Sequence, residues 1–104
     1  MKASKHTPAP WRYEKTNGSP TTGQHMIAGA TPGYLAEVRD CGSGDVEANA
    51  ILIAAAPDLL EAALKFREYV GLYREEKGTS AMYAYTEFCR MMDAAIAKAT
   101  GEPA

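Results

Sequence analysis

A proline, Pro57, stands inside the most apolar stretch of the chain, "EANAILIAAAPDLLEAAL" at residues 47–64, and it limits what that stretch can become. The apolar run from Ala50 to Pro57 is far shorter than the ~20 residues a membrane span needs. Asp58 and Glu61 close it off, so it reads as a buried core segment. One uninterrupted helix is equally disfavoured, because an interior proline removes a hydrogen bond and clashes with the preceding turn at a cost of about 3 kcal/mol. At the first position of a new helix the same residue costs little. Asp58 and Glu61 then fall in a first turn, where the helix dipole favours acids. The sequence therefore predicts a short buried helix from Val46, N-capped by Asp45, a bend at Ala56–Pro57, and a second helix beginning at Pro57.

The second helix carries an apolar seam of Leu59, Ala62, Ala63, Phe66, Tyr69, Val70 and Tyr73. "EEKGTS" is expected to end it, with Gly78 as the left-handed C-terminal residue and Ser80 as the next N-cap. A third helix follows, with Met82, Tyr85, Phe88, Cys89, Met92, Ala95, Ile96 and Ala99 at a spacing near 3.5, and Gly101 stops it. So short a link makes the two helices antiparallel neighbours, an αα-hairpin whose apolar seams form its core.

The first half has a different period. "WRYEKT" alternates Trp11 and Tyr13 against Arg12 and Glu14, the pattern of a half-buried strand. "NGSPTTG" is a turn, "QHMIAGA" a second strand and "TPG" another turn. "YLAEVRD" is a third strand, with Tyr34, Ala36 and Val38 on one face and Leu35, Glu37 and Arg39 on the other. The expected fold class is α+β. An N-terminal three-stranded antiparallel meander (11–40) precedes the short buried helix and the C-terminal hairpin (46–100), and residues 1–10, with Pro8 and Pro10, form an extended arm. A chain of 104 residues is expected to be a single domain, 1–104.

Charge and chemistry-bearing residues narrow the function less. The net charge of −2 excludes a bulk positive field for nucleic acid; residues 1–44 carry +2 and residues 45–104 carry −4. Cys41 and Cys89 form neither a metal signature nor a disulfide framework, and two free thiols in a reducing compartment are expected. "MKASKHTPAPW" lacks an apolar stretch after its positive charges, so no secretory leader is expected. His6 and His25 have no second metal ligand at a productive spacing, and no Ser or Cys lies in a nucleophile context. The glycines at 18, 23, 29 and 33 sit in turns rather than between a strand and a helix, so they make no phosphate loop. "CGSGD", at 41–45, reads as a linker, since Asp45 would repel an anion at the helix start.

No catalytic, cofactor or metal residue is assigned, and no enzyme activity is expected. Two surfaces are candidates. Tyr83, Arg90 and Met91 lie off the third-helix seam and match the composition of interface cores. Arg12, Tyr13, Tyr34 and Arg39 could stack and bind a nucleotide ring; alternatively Trp11, Tyr13 and Tyr34 face inward and cover the apolar helix.

Two pieces of the chain, "HTPAPW" at 6–11 and "ANAILIAAAPDLLEAAL" at 48–64, carry a resemblance. Together they cover about a fifth of it, and the combination resembles a group of small proteins widespread in bacteriophage and prophage genomes. Their members pair a His-Thr-Pro-x-Pro-Trp opening with an Ala-Asn-Ala-x-Leu-Ile-Ala-Ala-Ala-Pro-Asp/Glu-Leu-Leu junction. The resemblance implies a phage origin and expression in the cytoplasm of a bacterial host. It implies no activity and carries over no functional residues. The motif residues read as structural: Trp11 as a core anchor, Asn49 as a buried amide that needs partners, Pro57 as the helix break. The functional expectation is a non-enzymatic inhibitor of a bacterial anti-phage defence system, resembling an anti-CRISPR protein and acting by protein–protein contact, as a homodimer. The alternatives are a sponge for a nucleotide-type immune signal and a DNA-binding or regulatory accessory protein.

Overall fold

A computed structural model describes residues 6–18, 23–30, 32–40, 42 and 44–102. Three short strands, β1 (Arg12–Lys15), β2 (His25–Ala28) and β3 (Tyr34–Glu37), form one antiparallel sheet in the order β1-β2-β3. Three helices follow: α1 (Val46–Ala54), α2 (Ala56–Arg74) and α3 (Gly78–Thr100). This is the α+β meander-plus-hairpin arrangement the periodicities predict. The long helices set the shape: the molecule measures 57 × 27 × 21 Å. Its radius of gyration of 16.8 Å exceeds the roughly 13 Å of a compact chain of this length.

The globular end is built on alternation. Tyr13 pairs with Ile27, which pairs in turn with Ala36, and this face of the sheet receives α1. Ile27, Ala50 and Ala54 form the buried centre, with Trp11, Tyr13 and Val38 packed around it. A register irregularity at Ile27/Ala28 sets Tyr34 opposite Ala28 but Ala36 opposite Ile27. A two-residue step against a one-residue step breaks the strict alternation expected for the third strand. Tyr34 therefore turns to the outer face, away from Ala36 and Val38.

The helix junction follows from proline and alanine chemistry. The Asp45 side chain accepts from the amides of Glu47 (2.8 Å) and Ala48 (3.3 Å), capping α1. Ala55 ends α1 by donating to Ile51 and Leu52, while its own carbonyl accepts from Leu59 to start α2. Pro57 is the second residue of α2, buried, where its missing N–H is no loss.

Four expectations need correction. Gly78 does not end α2; it opens α3, and Ser80 lies inside that helix rather than capping it. The left-handed residue is Glu76, at φ 58°, and the Lys77 amide reaches back to the Leu72 carbonyl at 3.0 Å in a Schellman-type closure. The arm is not extended where it is described: the Trp11 indole donates to the Thr7 carbonyl at 2.9 Å, and the His6 ring meets the indole edge-on. Asn49 is half-buried with its amide near Gly44, not enclosed.

The fourth correction concerns the hairpin core. Beyond Pro57, the buried positions of the two arms are alanines, Ala62 on α2 and Ala81, Ala84 and Ala95 on α3. Among the described residues, eight of the ten buried hydrophobics are alanines. Two helices share one line of contact, and small side chains let them approach closely. The seams read from the sequence are each two lines wide, so the second line falls outside that contact.

Candidate functional site

That second line is the most distinctive surface of the molecule. Phe66 packs on Phe88 with ring centroids 5.0 Å apart, and Tyr69 on Tyr85 at 5.1 Å. Tyr73 extends the row from Tyr69, so five rings bridge α2 and α3 on one side of the hairpin. Phe66, Tyr73 and Tyr85 are exposed even so, and Met82 beside them is 72% exposed. Tyr69, Tyr73, Met82 and Tyr85 line an open groove at the turn end. The Tyr85 phenol is pushed above its ordinary range, first by its hydrogen bond with Cys89. At the other end a half-buried ion pair, Lys98 Nζ to Asp58 Oδ2 at 2.7 Å, ties the last turns of α3 to the start of α2.

Tyr83, Arg90 and Met91 are elsewhere. Tyr83 is 74% exposed and lines a second, polar groove with Lys65, Glu68 and Glu87 on the opposite side. Arg90 is bound to Glu87, which holds that carboxyl below its ordinary range and raises the guanidinium. Met91 is half-buried.

The sheet residues do not converge on one surface. Arg12 and Tyr34 share the outer face, flanking Ala28, whereas Tyr13 lies on the inner face with Ile27. Arg12 pairs with Glu14 and donates to the Gly29 carbonyl at 3.1 Å, and Arg39 pairs with Glu37. The Tyr13 hydroxyl is hydrogen-bonded to His25 Nδ1 at 2.7 Å. Burial, and then the carboxylates of Glu47 and Asp45, raise that phenol's pKa. Trp11 and Tyr13 thus cover α1, and Tyr34 does not. Cys41, and with it part of the "CGSGD" connector, lies outside the described residues.

Sequence reasoning missed the role of Phe66, Tyr73, Met82 and Tyr85 by assigning them to the hairpin interior. The signal was the width of the stripe, since a pair of helices closes a narrower one. A second apolar line, Leu60 and Leu64, runs on the side of α2 turned from Ala62, and Leu52 and Ile53 of α1 are also exposed. Among the described residues, no three His, Cys, Asp or Glu side chains gather as a metal site, and no helix is long and apolar enough to cross a membrane.

Among known protein families, that of Salmonella phage P22 protein Y8K6 matches residues 1–103 of this chain. No curated protein and no solved structure matches it.

Proposed function

We propose that this chain, which belongs to the family of Salmonella phage P22 protein Y8K6, is a non-enzymatic binding protein that inhibits a bacterial anti-phage defence system. It acts in the host cytoplasm by covering a surface of a host protein. The observation that carries this reading is the aliphatic line on the outer side of α2. Leu60 and Leu64 stand one turn apart, both exposed, with Glu61 beside them. A helix presenting such a line is the form in which an apolar groove with a basic rim is occupied. A surface of this kind on a small chain of a phage protein family suits blockade of a host partner by contact alone.

The test is phage plating on bacterial strains that each carry one defence system and express this chain. Plating should be restored against one system, and a Leu60→Glu/Leu64→Glu double variant should lose the effect with its melting temperature unchanged. Plating equal to the empty vector across the strains, or full activity in the double variant, would contradict the proposal.

A further inference from the structure

We infer that a second copy of this chain covers the aromatic face, the two hairpins packing face to face as a four-helix bundle. The first ground is spacing. On α2 the apolar residues Leu59, Ala63, Phe66, Val70 and Tyr73 step by four, three, four and three. On α3 Met82, Tyr85, Cys89, Met92 and Ile96 step by three, four, three and four. Each line is the heptad seam of a helix bundle, and none of these ten positions is charged. Neither seam is used up inside the chain: Ala63, Phe66 and Tyr73 on α2 and Met82, Tyr85 and Ile96 on α3 stay exposed, while the buried positions beside them are alanines. The ring contacts Phe66–Phe88 and Tyr69–Tyr85 hold both seams side by side on one face.

Size and symmetry identify the occupant. Each seam spans fourteen residue steps, about 21 Å at 1.5 Å per residue. Two such helices side by side present roughly 400 Å² in projection, about half of the ~800 Å² per partner of a standard interface, and the exposed Phe66, Tyr73, Met82, Tyr85 and Ile96 side chains add accessible area to it. A single helix from another protein would cover half of it. A surface with two ridges of equal length and matching heptad spacing covers all of it, and this chain carries one. Pairing a patch with its own copy about a two-fold axis is the commonest route to a closed oligomer. Tyrosines with their hydroxyls at the rim suit an interface that is apolar in its middle and wet at its edge. The inference concerns self-association alone and stands apart from the anti-defence reading.

Size-exclusion chromatography with light scattering tests it on the full chain. The expected mass is twice the 11.2 kDa of one chain. Met82→Glu and Ile96→Glu, at opposite ends of the α3 seam, should each raise the dissociation constant on the order of 100-fold, since each would bury a charge at the contact. Both side chains are exposed in the single chain, so circular dichroism should report unchanged helix content. A wild-type mass of one chain at high concentration would overturn the inference, as would a mass above two chains. So would a dimer that both variants leave intact.

Discussion

Ile27→Ala is expected to lower the unfolding free energy by about 2–5 kcal/mol, the range for truncating a fully buried aliphatic side chain and leaving a cavity. Ile27 is the one large side chain among the described residues that is completely enclosed. It sits where the central strand, its two neighbours and α1 meet, pairing with Tyr13 and Ala36 and packing on Ala50 and Ala54. Alanines around the site have no spare atoms to fill the void, so the loss should fall in the upper part of that range. A small domain has only about 5–15 kcal/mol in total, and the change should lower the melting temperature by at least about 10 °C. Ile27→Val, which keeps most of the packing, should lose about 0.5–1.5 kcal/mol. Urea denaturation of both variants measures this. Equal midpoints for wild type and Ile27→Ala would show that the sheet and α1 do not depend on this contact.

Ala62→Leu is expected to destabilise the hairpin by about 1–3 kcal/mol, the cost of overpacking a well-filled contact. Ala62 is fully buried on the line where α2 meets the alanines of α3. Three added carbons there must push the arms apart. That movement would also strain the Phe66–Phe88 and Tyr69–Tyr85 contacts and the Lys98–Asp58 pair. Ala94→Leu on α3 is the control, because that residue is exposed and lies on neither apolar seam. Denaturation should separate the two, with Ala62→Leu the less stable. Equal midpoints for Ala62→Leu and wild type would mean that the arms do not meet closely at residue 62.

Much of the fold was legible in the sequence because local chemistry decided it. Pro57 can stand only at a helix start, Asp45 is a natural cap, and Gly101 ends α3 with φ 76°. Period-two and near-3.5 patterns separated the strands from the helices. What was not legible depended on contacts between elements. The irregularity that turns Tyr34 outward is set by how β3 pairs with β2, which alternation alone does not encode. Glu76 takes the left-handed position that Gly78 would have suited, since the length of the connection fixes where the chain must reverse. A periodic apolar stripe, likewise, does not say which of its lines meets a neighbour within the same chain. Tyr85 and Ala84 are adjacent in sequence, yet the small residue is inside and the large one faces out.

That inversion, alanine within the hairpin and aromatic residues on its face, leaves a face that a second copy covers, and Cys89 reports on that pairing directly. Cys89 belongs to the outward α3 seam, half-buried and one helical turn from Tyr85. In a Cys41→Ser background, its reaction with excess thiol reagent is followed across a range of protein concentrations. Pairing of two copies predicts that the rate constant falls as the concentration rises, and that Met82→Glu restores fast labelling throughout. One rate at every concentration, the same in both proteins, would contradict the pairing and leave the aromatic face open to solvent.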